Sequence, residues 1–308
     1  MAEHEPRRLS CMVTSELEGR TVRNLLKTQF HMADGFIAAL KLRPDGILLE
    51  GERVRTNARV RAGECLSVRV DDTEGGNPAA PVPIPLCVRY EDADLAVIEK
   101  PAGMVIHGSD PDGPPTLANA LAALWGGEQP FHPIQRLDRG TTGLLLVAKS
   151  RYVSELLRRS LHTEDFAREY LALVRGAPEP PAGTIKLPIG PETGKGTRRC
   201  VRQDGQAALT AYETLSNFPG GALLRLRLYT GRTHQIRVHL SAKGCPLFGD
   251  PLYGGPAAEG LDRPALHAAS LSLKHQVTGE RFRWESPLPA DMRGFLEKRE
   301  KGTQPEDG

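Results

Sequence analysis

The chain has 308 residues, of which 39% are hydrophobic and 25% charged, an ordinary globular composition with room for one large domain and an appendage or for two modest domains. No run approaches the roughly 18 apolar residues of a membrane-spanning helix, and the opening Met1-Ala2-Glu3-His4-Glu5-Pro6 lacks the apolar core of a secretion signal, so a cytoplasmic protein is expected. A formal charge of +2 and a pI near 8.3 exclude the strongly basic signature of many nucleic-acid binders, at least for the chain taken whole.

Residues 1–72 read as a small α/β unit. A short strand at 9–13 precedes an amphipathic helix at 21–30, where Val22, Leu25 and Leu26 fall on one face. After a second short helical stretch, Asp45-Gly46 turns the chain into Ile47-Leu48-Leu49, and Gly51-Glu52 breaks it again. Arg53, Arg55, Arg59 and Arg61 then recur mostly at spacing two, which on a strand would set a row of cations on one face. A strand at 66–70 closes the unit. Residues 73–85, with Gly75-Gly76, Asn77-Pro78, Pro81, Pro83 and Pro85, have the composition of a linker.

Residues 86–299 are rich in short strands. Segments 86–90 and 95–99 alternate like a hairpin, and further strands are expected at 144–148, 170–175, 223–229, 266–273 and 281–284. Helices are expected at 116–124, 152–161, 233–243 and 292–299. Such a pattern predicts an α+β domain around a mixed, largely antiparallel sheet. This block is expected to hold its own core and to fold and act without the first, with residues 300–308 as a tail.

Charge is unevenly spread. Residues 131–240 hold 17 Lys plus Arg against 9 Asp plus Glu, a surplus of eight that leaves the rest of the chain at −6. Arginine outnumbers lysine 30 to 10, which suits bidentate phosphate contacts and stacking on bases, or simply reflects a GC-rich genome. The five cysteines, at 11, 65, 87, 200 and 245, form no Cys-x-x-Cys pair, so no zinc site and no disulfide framework is expected.

Two clusters carry chemistry. In Arg136-Leu137-Asp138-Arg139-Gly140-Thr141-Thr142-Gly143, a carboxylate stands between two arginines just before an apolar strand. Cationic neighbours favour its charged form, which suits a nucleophile or base, although a salt-bridged loop anchor gives the same pattern. In Leu228-Tyr229-Thr230-Gly231-Arg232-Thr233-His234-Gln235-Ile236-Arg237-Val238-His239-Leu240, a glycine turn leads into a helix start with two arginines, an anion-binding corner or a solvated cap. His234 and Arg237, three apart, share a helix face.

These two segments resemble the signature motifs of the RluA-type pseudouridine synthases. Glu99-Lys100-Pro101-Ala102-Gly103-Met104-Val105-Ile106-His107 resembles the family's first motif, and Arg168-Glu169-Tyr170-Leu171-Ala172-Leu173-Val174 the motif with a base-stacking tyrosine. Gly244-Cys245-Pro246-Leu247-Phe248-Gly249-Asp250-Pro251-Leu252-Tyr253-Gly254 and Leu266-His267-Ala268 follow in the family's order, so the similarity spans about residues 84–295. The first block is similar, more weakly, to the alpha-L RNA-binding module.

The resemblance implies that Asp138 attacks the ribose or base of a target uridine, that Tyr170 stacks on the uracil, and that Arg237 pairs with the aspartate. By the same carry-over, Arg136 fills the gap left by the flipped nucleotide. Arg139, Arg168, Arg232, His234 and Gln235, with Arg53, Arg55 and Arg59 of the first block, are the expected RNA contacts. No cofactor is expected, because isomerisation involves no redox change or group transfer. The expected partner is ribosomal RNA, with transfer RNA as the alternative, and the expected state a monomer. Two departures stand out: Gln135 replaces the usual histidine, and Arg168 the usual lysine. The competing readings are a non-catalytic RNA-binding paralogue and a hydrolase of a glycosidic bond, which would need a second carboxylate that the motifs do not offer plainly.

Overall fold

In the computed structural model, which describes residues 6–71, 77, 79–108, 113–127, 129–194 and 196–301, the chain opens with β1 (Arg8–Met12). The Thr21 side chain accepts from Asn24 N and caps α1 (Val22–Thr28), whose Val22, Leu25 and Leu26 are buried as their spacing requires. Then α2 (Asp34–Leu42), β2 (Ile47–Leu49), β3 (Glu52–Arg53) and β4 (Cys65–Arg69) complete an antiparallel sheet ordered β1-β4-β2-β3. The expected row of cations on one strand is absent. The β3 strand ends at Arg53, and a turn closed by Ala58 N on Arg55 O takes the following side chains out of period two. Arg53 and Arg59 donate to the carbonyls of Lys41 and Gly19. Instead, Lys41, Arg43, Arg53 and Arg55 line a common cleft of about 630 Å³.

The second block runs through β5 (Cys87–Glu91), β6 (Leu95–Lys100), α3 (Leu117–Leu124), β7 (His132–Pro133), β8 (Thr142–Ala148), α4 (Arg151–Ser160) and β9 (Phe166–Arg175). It continues with β10 (Ala182–Ile185), β11 (Ile189–Pro191), β12 (Arg199–Val201), β13 (Thr210–Phe218), β14 (Gly221–Leu228), α5 (Gln235–Ala242), β15 (Leu266–Lys274), β16 (Arg281–Glu285) and α6 (Ala290–Lys301). The main sheet has ten strands, ordered β10-β13-β14-β9-β15-β8-β6-β5 along its path, with β16 on β15 and β7 on β8. Its pairs are antiparallel except where β8 meets β15 in parallel, Thr142 opposite His267 and Gly143 opposite Ala268. There Gly143 has φ 107°, and a Cβ would stand 2.2 Å from Ala268 O, so only glycine lets the two strands close. The α+β architecture with a mixed, largely antiparallel sheet is thus the one its strand pattern predicts. Strands β10 to β13 were not anticipated, and β9 begins four residues earlier than expected, at Phe166. Among the described residues no helix is long and apolar enough to cross a membrane.

Period two divides β6 and β8 between two cores. Leu95, Val97, Leu144 and Leu146 join one apolar cluster with Val22, Leu25, Phe36 and Val68 of the first block. Ala96, Ile98, Leu145 and Val147 join another with Leu117, Leu121 and Tyr170. The contact between blocks is specific as well as apolar. Tyr152 on α4 packs against Phe36 with ring centroids 5.5 Å apart and donates to Phe30 O at 2.8 Å. Arg159 donates to His31 O, and Arg7 forms an ion pair with the buried Asp94. The proline-rich segment is fastened too: Asn77 donates to Ala118 O, Asn119 to Ala80 O, and Val82 N to Asn119 O. Residues 73–76 and 78 of that segment, residue 72 before it, and 302–308 of the expected tail lie outside the described residues.

Removing residues 1–80 should therefore uncover an apolar face of the main sheet rather than release an independent domain. The truncated chain is expected to melt lower than the full chain, by roughly 2–4 °C for each kcal/mol of docking energy lost. Thermal melts of the two proteins test this, and equal Tm values would mean that the shared core contributes nothing.

Candidate active site

The loop before β8 is held from below by Lys100. This lysine is 1% exposed, and its ammonium donates to the carbonyls of Pro101, Met104 and Arg139 at 2.8, 2.8 and 3.2 Å. Burial, with the nearby Arg263 charge, pulls its pKa down to about 8. Gly103 N and Arg139 Nε close a reciprocal pair of bonds with the carbonyls of Arg139 and Gly103. Thr141 N bonds Asp138 O at 3.0 Å and turns the chain into β8, leaving the Asp138 side chain 25% exposed at the mouth of the loop.

Opposite stands Arg237 on α5. Its Nη1 donates to Asp138 Oδ2 at 3.1 Å, while Nε and Nη2 grip Asp250 in a bidentate pair at 2.7 and 2.8 Å. Burial works against the guanidinium's charge, but the Asp250 bonds and the Asp138 charge outweigh it and raise the pKa above the ordinary value. Tyr253 places its ring 4.9 Å from the same guanidinium and shares a 2.8 Å bond with His234 Nδ1. His234 itself sits in the left-handed region at φ 57°, just before α5, with Nε2 3.8 Å from Asp138 Oδ2. Burial lowers the His234 pKa and favours a neutral ring, and the Asp138 charge only partly opposes it. The backbone at His234 explains why α5 begins at Gln235, two residues later than the sequence pattern suggests.

Asp250 is the residue that sequence reasoning passed over. It lies within a quoted motif, but its role depends on the fold bringing it to Arg237, and it is 0% exposed. It is a second carboxylate near Asp138, yet the guanidinium stands between them, so the pair does not flank an open site as a hydrolase requires.

Two adjoining cavities open over Asp138. A pit of about 40 Å³ is walled by Asp138, Tyr170, His234, Gln235 and Arg237 among others. A groove of about 800 Å³ shares Asp138, Tyr170, Arg136 and Arg232 and adds Gln135, Arg158 and Arg168. Tyr170 is 4% exposed, and burial raises its hydroxyl pKa. Arg136 donates to Thr233 Oγ1 at 2.9 Å and Arg232 to Ala207 O at 3.1 Å, both guanidiniums being exposed. Gln235 spends its amide internally, accepting from Thr230 Oγ1 and Arg232 N and donating to Leu209 O and Thr210 Oγ1. It braces the glycine turn. Arg139 faces Gly103 instead of the cavities, and Arg53, Arg55 and Arg59 belong to the first block, away from Asp138. Gln135 is buried, with Nε2 3.4 Å from Leu144 O.

The RNA pseudouridylate synthase family model matches residues 94–242. The chain is 41% identical over 250 residues to ribosomal large subunit pseudouridine synthase D of Nitrosomonas europaea, covering 78% of this chain and 72% of that protein. It is 37% identical over 261 residues to an uncharacterized RNA pseudouridine synthase of Bacillus subtilis, covering 83% and 86% respectively. The solved structure of human RNA pseudouridylate synthase domain containing 4 superposes with a TM-score of 0.57 at 26% identity, over 68% of this chain and 92% of that one. The motif order, the sheet and these similarities agree: the chain belongs to the RluA-type RNA pseudouridine synthases and is an RNA-modifying isomerase.

Proposed function

We propose that Asp138 is the catalytic group and that the substrate is structured ribosomal RNA. The observation that carries this is the Asp138 carboxylate, part exposed at the junction of pit and groove and held at 3.1 Å by Arg237. Pseudouridine forms when the bond from ribose C1′ to uracil N1 breaks, the base turns, and C1′ bonds to C5, whose proton is lost while N1 gains one. Asp138 attacks ribose or base, and Arg237 holds the carboxylate in aim and supplies its counter-charge. The target must first leave its stack, at a cost of a few kcal/mol, for which Tyr170 offers an aromatic wall and Arg136 a filler for the vacated place. Arg136, Arg158 and Arg232 on the groove favour a phosphate-bearing strand.

The ribosomal target is inferred from relatives named as large-subunit enzymes. We read the protein further as a cytoplasmic monomer working without a cofactor, and its first block as an alpha-L-like module whose Lys41, Arg43, Arg53 and Arg55 cleft touches RNA. Pseudouridine mapping of total RNA from a strain lacking the gene, complemented with the wild type or Asp138→Asn, tests the reading. One or a few large-subunit positions should revert to uridine and return only with the wild type; an unchanged map refutes it.

Tyr170 gives a separate test. Tyr170→Phe should keep RNA affinity, whereas Tyr170→Ala should weaken it by about 1–3 kcal/mol of base stacking. Binding is measured well below the Tm of the alanine variant, since a buried aromatic is also lost. Equal affinities would argue against stacking.

A further inference from the structure

Arg168 is the most unusual charge in the molecule. It is 5% exposed, its Nε has no hydrogen-bond partner, and among the described residues no carboxylate pairs with it. Its guanidinium lies against an aromatic face, 5.6 Å from the Phe166 ring centre. An unpaired buried cation is costly and normally finds a counter-ion. Here the walls offer none. The groove that Arg168 lines contains Arg136, Arg158, Arg232, His107 and His162, and its one acid, Asp138, is already engaged by Arg237.

The strand sets the direction of the side chain. Phe166, Arg168 and Tyr170 alternate on the buried face of β9, so Arg168 precedes the base-stacking position by two residues, about 6.6 Å along the strand. Gly231 lies against it: a Cβ there would stand 3.5 Å from Arg168 Nη1, so glycine puts no side chain beside the guanidinium. Beside it, Gln135 Oε1 is also buried without a donor, a second sign that the groove is incomplete when empty. The amide orientation is fixed by chemistry, since turning it would set two carbonyl oxygens against each other at Leu144.

We propose that Arg168 is a phosphate receptor, taking a phosphodiester oxygen of the nucleotide that adjoins the flipped uridine. This rests on the reading of the groove as the RNA site. The planar guanidinium suits a phosphate better than a point charge does, and the surrounding cations exclude a protein carboxylate as the intended partner. The missing counter-ion is thus supplied by the substrate.

The test uses the full-length enzyme and the RNA fragment identified by mapping, made with a native backbone or with a neutral methylphosphonate at the linkages beside the target. Arg168→Gln is expected to weaken binding about tenfold, as loss of a charged hydrogen bond does, and to reduce the slope of log affinity against log salt by about 0.7–0.9. Arg168→Lys should keep the slope. The wild type should lose the same affinity on methylphosphonate RNA, and Arg168→Gln should lose no more there. The Tm of Arg168→Gln should equal or exceed that of the wild type, because an unpaired buried charge has gone. A lowered Tm with an unchanged salt slope would make Arg168 structural and overturn the proposal. So would a loss reproduced by changing the adjoining base and not its phosphate. A wild type that forms no pseudouridine in any RNA would instead overturn the reading beneath it.

Discussion

Asp138→Asn should abolish pseudouridine formation while RNA binding stays within a few-fold of the wild type. The exchange keeps the shape of the side chain and its place opposite Arg237 but removes the charge and the nucleophile. Loss of a covalent catalytic group typically lowers rate by a factor on the order of 10⁴ or more, equivalent to about 5.5 kcal/mol of transition-state stabilisation. Single-turnover assays on the mapped RNA would measure it. More than a trace of product from the variant would mean that another group performs the attack.

The second large effect is expected at the far end of the same chain of charges. Asp250 is wholly buried and holds Arg237 by two short bonds, so Arg237→Ala strands one buried carboxylate and frees the other. Breaking one side of a buried pair costs about 3–5 kcal/mol, and the variant should show this in its denaturant midpoint. Asp250→Asn is the milder probe. It keeps the shape but loses the counter-charge, and kcat should fall on the order of ten- to a hundredfold with KM little changed, because Asp250 never meets the RNA. Residues that act as one unit are not additive, so adding Asp250→Asn to Asp138→Asn should cost almost no further activity. A wild-type kcat in Asp250→Asn would show that Arg237 aims Asp138 without help.

Much of this was visible in the residues alone. The 3.6 spacing of Val22, Leu25 and Leu26 located α1, and the apolar run after Asp138 located β8. The pairing of Asp138 with Arg237 came from the family resemblance, since 99 residues separate the two and no local pattern links them. Asp250 was missed for the same reason, because the resemblance covered its motif without giving the carboxylate a role: an acid in a glycine-rich loop looks solvated until its partner arrives. Strand β13 was missed because Glu213, Ser216 and Asn217 interrupt its apolar face and a bulge at Thr214 to Ser216 breaks its period. The Arg53 to Arg61 row failed because spacing two has meaning only on a strand, and the chain turns after Arg53. The proline-rich segment suggested a free linker, yet Asn119 holds it twice, its side chain donating to Ala80 O and its backbone carbonyl accepting from Val82 N.

The lone parallel pairing has a consequence for how the chain is made. Thr142 and His267, bonded across that join, are 125 residues apart. At about 5–20 residues per second of synthesis, β8 waits roughly 6–25 s for its parallel neighbour after leaving the ribosome. Until then it can pair with β6 on one edge and with β7 at Val147 and Ala148 on the other, but the stretch of that edge at Thr142 and Gly143, which β15 later takes, stays open, an invitation to aggregate. By that time the first block has already emerged, and the surface it offers fits the Leu95, Val97, Leu144 and Leu146 side of those strands. The block is thus placed to shelter half of an unfinished sheet, an internal chaperone whose service ends when β15 arrives.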